Sequence, residues 1–178
     1  MSSDKVLDAK MFDRALKLLD AQMSRNDFLN AFSPINVVTV GGFVAVKYFG
    51  NRMSTGDLDY MIEQEWAEDN EIKLPINNVI KAVAEKEALE YNWMNDELQI
   101  WASPTASKTI FAQAFAQNII LFDGKGLKVW AAPLIWGLER KLRRTASPDH
   151  KQLDMDDLLA HFKYFGANNG APLGMEYF

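Results

Sequence analysis

The sequence predicts an α/β (α+β) protein with a small mixed sheet flanked by helices and a helical C-terminal part. Short β-branched runs such as residues 37–40 are typical of strands buried on both faces. Several longer segments carry apolar residues three and four apart, as amphipathic helices do. The length of 178 residues suits one sizeable core. We therefore predict a single domain over residues 1–166 and a loose tail over 167–178.

The elements of the first half follow from apolar spacing and from residues that begin or end helices. Two glycines after the first strand allow a tight turn into a helix. Pro75 suits the first turn of a later helix. The predicted elements, in chain order, are a helix over 6–25, a strand over 37–40, a helix ending near 49–50, a strand over 58–62, an exposed acidic loop over 63–71 and a helix over 75–89.

The second half is predicted to complete the core, which spans about 36–132, and to add the C-terminal helices. Asp123-Gly124-Lys125-Gly126 separates two apolar runs and is typical of a hairpin turn. Basic residues crowd the end of the next helix, where cations suit the helix dipole. The predicted elements are a strand over 98–102, hairpin strands over 119–122 and 127–130, and helices within 133–165, with no assignment around Pro104.

The composition excludes several classes of function. The absence of cysteine excludes disulfides, thiol catalysis and Cys-ligated zinc. A net charge of −5 gives no global positive field, so any contact with nucleic acid would be local. No apolar run is long enough to span a bilayer, and the polar start differs from a signal peptide. We expect a cytoplasmic protein without a membrane partner, and its oligomeric state stays open.

The strongest candidate site is the pair Asp57 and Asp59. Residues two apart in a strand project to one face of the sheet, so these carboxylates should lie side by side. Mg²⁺ is usually held by one or two carboxylates together with substrate phosphates. The earlier Gly41-Gly42 turn lets the backbone approach a phosphate, and the helix after it offers unpaired N–H groups. These features predict a nucleotide site assisted by a divalent metal.

The order of these motifs resembles the DNA polymerase β-type nucleotidyltransferase superfamily. The likeness is to its small bacterial branch, which includes the abortive-infection toxin nucleotidyltransferases. It covers roughly residues 36–165 and implies a polymerase β-like sheet. The motifs that carry the resemblance are Gly41-Gly42, Arg52-x-Ser54-Thr55, Asp57-x-Asp59, Trp93-Met94-Asn95-Asp96, Lys141-Leu142 and Asp154-x-x-Asp157.

The resemblance implies a role for most of these residues. Asp57 and Asp59 would hold Mg²⁺ or Mn²⁺ and act in catalysis. Lys141 would contact the nucleotide phosphates, and either Asp154 or Asp157 would be a late acid of the site. The implied nucleotide-binding residues are Gly41, Gly42, Arg52, Ser54, Thr55 and Lys141.

Two functions stay open at this point. The first is transfer of a nucleoside monophosphate from a nucleoside triphosphate to an RNA 3′ end, a protein hydroxyl or a small molecule. The second is a catalytically degenerate protein of the same fold that acts as a binding or regulatory module. A third carboxylate, which many polymerase β-type enzymes use to activate the acceptor, would favour the first, and its candidates are Asp96, Glu97 and Asp123.

Three further residue groups allow more than one interpretation. Arg52 is suited to a phosphate, but equally to an ion pair with Asp57 or with the acidic loop. Trp93 and Trp101 flank two acidic residues, and we interpret them as packing residues rather than as walls of a base-stacking cleft. The arginines within 140–144 could guide RNA, but we interpret them as ordinary helix-terminating cations.

Overall fold

The computed structural model describes residues 6–169 and confirms the α/β class. The helices are α1 (Ala9–Arg25), α2 (Asp27–Ala31), α3 (Gly42–Val44), α4 (Asn70–Glu87), α5 (Pro104–Gln117), α6 (Leu134–Thr145) and α7 (Gln152–Asn169). The strands are β1 (Leu7–Asp8), β2 (Ile35–Thr39), β3 (Ser54–Thr55), β4 (Leu58–Ile62), β5 (Met94–Asn95), β6 (Ile120–Asp123) and β7 (Leu127–Ala131). A π-helical segment, Ala45–Phe49, continues α3, and a 3₁₀ helix, Glu97–Trp101, precedes α5.

The main sheet is mixed, with strand order β5-β4-β2-β7-β6. Strand β2 runs parallel to β7 and antiparallel to β4, and β4 runs parallel to β5. The last residue of β2, Thr39, faces Tyr60 of β4. The end of β2, the start of β4 and the end of β7 therefore meet at one end of the sheet.

The two faces of the sheet are covered differently. Helices α1 and α4 pack on one face, where the core contains Leu58 and Tyr60 of β4. On the other face, Met61 packs with Leu98 of the 3₁₀ helix and with residues of α5. Because side chains alternate along a strand, Asp59 shares the face of Met61. This second face carries the candidate site.

The N-terminal helix begins at Ala9 rather than at residue 6. Asp8 ends the preceding strand and caps the helix by accepting a hydrogen bond from the Met11 amide at 2.8 Å. Strand β1 pairs with β3, with Leu7 opposite Thr55. The start of the described chain thus holds the segment that leads into β4.

Helix α4 begins at Asn70, five residues before the predicted entry at Pro75. The Asp69 side chain accepts a hydrogen bond from the Glu71 amide at 2.8 Å and caps the helix there. Pro75 consequently lies inside the helix. The acidic loop predicted over 63–71 is shorter than expected because its last residues are helical.

The predicted strand over 98–102 is wrong, since the chain forms a 3₁₀ helix there. The Asn95 side chain accepts a hydrogen bond from the Glu97 amide at 3.1 Å, so the chain turns immediately after the short strand β5. The unassigned segment around Pro104 is helix α5. Ser103 caps that helix by accepting from the Ala106 amide at 3.2 Å.

The predicted hairpin and C-terminal helices are present. Strands β6 and β7 are antiparallel, with a register irregularity between Ile120 and Phe122. Helix α7 continues to Asn169, so residues 167–169 are helical where a loose tail was predicted, and residues 170–178 lie outside the described part of the chain. Over residues 6–169, no helix has the length and apolar character needed to cross a bilayer.

Candidate functional site

Asp57 and Asp59 lie at the start of β4, at the end of the sheet where β2 and β7 finish. The intervening Leu58 is fully buried on the opposite face, whereas both aspartates are only partly covered. The Thr39 hydroxyl donates a hydrogen bond to the Asp59 carbonyl oxygen at 2.7 Å. This bond ties the last residue of β2 to the acid-bearing strand.

The charged form of Asp57 is disfavoured in the folded protein. Burial, together with the negative charges of Asp59 and Glu97, raises the pKa of Asp57 to about 6. Among residues 6–169, no hydrogen bond or ion pair engages the carboxylate of Asp57 or Asp59. A cation bound between them would relieve the repulsion.

The three candidates for a third carboxylate have different surroundings. Asp96 forms an ion pair with Lys73 at 2.8 Å, and Asp123 forms one with Lys128 at 2.9 Å in the β6–β7 hairpin. Glu97 is exposed at the start of the 3₁₀ helix, and its charge contributes to the raised pKa of Asp57. Glu97 is therefore the candidate whose charge acts on Asp57.

The donor set suits a divalent cation that keeps other ligands. Within the described chain, no group of at least three His, Asp or Glu side chains is arranged to hold a metal ion. Asp57 and Asp59 supply hard carboxylate oxygens, and Mg²⁺ commonly completes such a pair with water and substrate phosphates. The pair fits Mg²⁺ or Mn²⁺ in that mode.

The glycine turn between β2 and α3 requires both of its glycines. Gly41 has φ +88° and ψ −135°, a conformation that side chains with a Cβ rarely adopt. A Cβ on Gly42 would lie 2.1 Å from the Thr55 hydroxyl oxygen. The turn thus packs closely on β3, which contains the predicted nucleotide-binding residues Ser54 and Thr55.

Arg52, Lys141, Asp154 and Asp157 form a separate cluster between α6, α7 and the loop before β3. Arg52 donates to both carboxylate oxygens of Asp157, from Nε at 2.9 Å and from Nη2 at 2.6 Å. Lys141 Nζ lies 2.7 Å from Asp157 and 3.2 Å from Asp154. Arg52 therefore pairs with Asp157 rather than with Asp57 or the acidic loop.

The carboxylates of this second cluster are well satisfied. The side chain of Asp157 is 1% exposed and also accepts a hydrogen bond from Asn51 at 2.9 Å. Burial alone would raise the pKa of Asp154, but hydrogen bonds from the Lys151 amide and Lys141, with the charges of Lys141 and Arg144, lower it. The contacts of Lys141 are thus to the α7 acids, and the charges that act on Asp57 come from elsewhere.

Arg140 is a site residue that sequence reasoning missed. Its guanidinium lies 5.2 Å from the ring centroid of Trp136 and 5.7 Å from that of Trp101. Burial lowers the pKa of Arg140, and the negative charge of Asp59 opposes that change. The spacing of four between Trp136 and Arg140 places both on one helix face, which is the signal that the sequence offered.

The two tryptophans that flank the acidic turn have different environments. Trp93 is fully buried and donates its Nε1–H to the Ile80 carbonyl at 3.2 Å, so the packing interpretation is confirmed for it. Trp101 is 69% exposed, so the same interpretation is wrong there. Trp101 instead covers the Arg140 guanidinium at the surface.

Comparisons of the chain with protein-family models, with curated proteins and with solved structures give no match. The likeness to polymerase β-type nucleotidyltransferases therefore stays a prediction from motifs.

Proposed function

We propose that this chain is a metal-dependent nucleotidyltransferase that moves a nucleoside monophosphate from a nucleoside triphosphate to an acceptor hydroxyl. The observation that carries the proposal is the carboxylate pair, Asp57 and Asp59. It lacks a hydrogen-bond or ion-pair partner among the described residues, and the pKa of Asp57 is raised to about 6. Such a pair suits a divalent cation bridging to phosphate oxygens.

Each group at this end of the sheet has a part in the proposed reaction. The acceptor oxygen forms a bond to the α-phosphorus, the bond from that phosphorus to the β-phosphate oxygen breaks, and pyrophosphate leaves. When bound, Mg²⁺ or Mn²⁺ supplies charge neutralisation of the triphosphate. Gly41, where a Cβ would meet nothing within 4 Å, would leave its backbone open to a phosphate. We assign Glu97 to accept the proton of the acceptor hydroxyl, because its exposed carboxylate acts on Asp57.

The test is transfer of label from each α-labelled nucleoside triphosphate, with Mg²⁺ or Mn²⁺, onto total RNA and onto the protein itself. We expect wild type to transfer label and Asp59→Asn to lose at least about 10- to 100-fold, since even outer-shell partners of a metal cause losses of that size. Asp123→Asn is the matched control, because Asp123 is exposed in the hairpin and pairs with Lys128. Label that is independent of Asp59, or absent with folded wild type, contradicts the proposal.

A second function, metal-dependent nucleotide binding without catalysis, is favoured by a different observation. In the part of the chain that the structure describes, no third acidic side chain joins Asp57 and Asp59 in a metal-holding group. For such a module, calorimetry would detect nucleoside triphosphate binding that needs Mg²⁺ and is lost in Asp59→Asn. The same wild-type protein would transfer no label, which separates the two functions.

A further inference from the structure

A guanidinium held between two indoles stands on the site-bearing face of the sheet. The inner indole, Trp136, is partly buried and packs against the core cluster under α5. The outer indole, Trp101, is 69% exposed, and its neighbour Ile100 is 80% exposed. Arg140 lies between the two indoles and keeps its charge, since a guanidinium stays protonated in proteins. The aromatic surface that faces solvent is therefore backed by a fixed cation.

This stack lies beside the carboxylate pair. The 3₁₀ helix begins at Glu97, whose charge acts on Asp57, and ends at Trp101. A 3₁₀ helix rises about 2 Å per residue, which separates the two ends of this helix by about 8 Å. Arg140 is within electrostatic reach of Asp59. The 3₁₀ helix also packs on the acid-bearing strand, since Leu98 lies in one cluster with Met61 and the Gln99 side chain accepts a hydrogen bond from the Ile62 amide at 3.2 Å.

We infer that the exposed face of Trp101, backed by Arg140, is a stacking platform for the nucleobase of a substrate. This inference rests on the proposed function, for which the platform would be the element that recognises the base. An indole offers a flat surface to a base, and such stacking is tolerant of sequence. Core packing does not explain Trp101, since most of its surface remains in solvent.

The base has two possible sources, and both present the same chemistry. It belongs either to the nucleoside triphosphate or to the terminal nucleotide of an RNA acceptor. Two ligand pairs distinguish these sources: α,β-methylene ATP against tripolyphosphate, and a short oligoribonucleotide against the same oligonucleotide ending in an abasic ribose. The oligonucleotides differ only by the base, and the first pair differs by the whole nucleoside and the bridging methylene, so a residue that stacks on the base affects the base-bearing member of a pair and not the other.

The experiment measures binding of these ligands to the full chain with Mg²⁺, for wild type, Trp101→Ala and Trp101→Phe. We expect Trp101→Ala to weaken the base-bearing member of one pair by about 5- to 150-fold, the range that base–aromatic stacking gives, and to leave its base-free partner unchanged. Trp101→Phe should keep most of the affinity. Phe28→Ala is the control, because Phe28 is 41% exposed in α2, which packs against α1 and α4 beyond the opposite face.

The outcomes separate the two proposals. Selective weakening of the ATP analogue supports a platform for the nucleotide base, and selective weakening of the oligonucleotide supports one for the acceptor base. Equal effects of Trp101→Ala within each pair, no effect, or no base-bearing ligand bound by wild type overturns the platform. If Asp59→Asn binds tripolyphosphate as tightly as wild type does, the metal site of the proposed function is contradicted. The difference between base-bearing and base-free ligands in Trp101→Ala can still be measured in that case.

Discussion

Two pairs of aspartates in this chain have opposite electrostatic surroundings. Asp154 and Asp157 in α7 are contacted by Arg52, Lys141 and Arg144, and the Asp157 carboxylate is almost completely buried. The pair at the start of β4, Asp57 and Asp59, receives no hydrogen bond or ion pair among the described residues. The same residue type is thus used once in direct ion pairs with cations of the fold and once without an ion pair.

The difference separates a cluster suited to stabilising the fold from the proposed binding site. A buried carboxylate that accepts from several cationic donors has its charge compensated by them, although burying the charges itself carries a desolvation cost. Two adjacent carboxylates without donors repel each other, so their charged state weakens the fold unless an external cation binds. The α7 cluster holds α6, α7 and the loop before β3 together, and the β4 pair is left available to a ligand.

Removing Asp157 should break the stabilising cluster and give the largest effect. In Asp157→Ala the charges of Arg52 and Lys141 lose their buried partner, and breaking a buried pair costs about 3–5 kcal/mol. Urea denaturation followed by circular dichroism measures this loss in the free energy of unfolding.

Asp156→Ala is the control for that measurement. Asp156 is the neighbouring residue in α7, and its side chain accepts only from Gln152, in a hydrogen bond exposed to solvent. We expect its free energy of unfolding to stay within about 0.5 kcal/mol of wild type. A loss at Asp157 no larger than that at Asp156 would show that the cluster does not stabilise the fold.

Adding Mg²⁺ should stabilise the protein through the β4 pair and not through the α7 cluster. At a free concentration ten times Kd, binding to the folded state alone adds about 1.4 kcal/mol, which raises the Tm of a chain of this size by about 3–6 °C. Calorimetry above pH 6, where Asp57 is ionised, measures the shift. Asp59→Asn should abolish it and Asp157→Asn should not, so an equal shift in all three proteins would refute a site at the β4 pair.

The fold was predictable where the pattern is local and uniform. The run at residues 37–40, the two glycines and the hairpin turn specify β2, α3, β6 and β7 through backbone preferences alone. Helix α5 was not predicted, although its buried residues Ser107, Ile110, Phe111 and Ala114 follow helical spacing. Two of those four are small or polar, so hydrophobicity does not reveal the stripe.

In the candidate site, too, local geometry was predictable from the sequence and long-range contacts were not. The common face of Asp57 and Asp59 follows from strand geometry two residues apart, so it could be read from the sequence. The partner of Arg52 lies 105 residues away, and only the packing of α7 brings Asp157 to it. Arg140 was missed for the same reason, since α6 and the 3₁₀ helix must meet before its guanidinium reaches Trp101.

Replacing Asp57 by asparagine should give the smallest effect, and with the opposite sign to that at Asp157. Because the folded-state pKa of Asp57 is raised from 3.8 to about 6, the folded state binds more protons between these values, and wild type loses stability as the pH rises through them. Asp57→Asn keeps a neutral side chain at every pH, so its free energy of unfolding in metal-free buffer should match that of wild type near pH 4. At pH 7 it should exceed that of wild type by roughly 1 kcal/mol. The difference is modest because solvent screens a half-exposed group. Urea titrations at both pH values measure this, with Asp123→Asn as the surface control. A variant less stable than wild type at pH 7 would mean that the β4 carboxylates hold the fold together as the α7 carboxylates do, and the contrast between the two pairs would be lost.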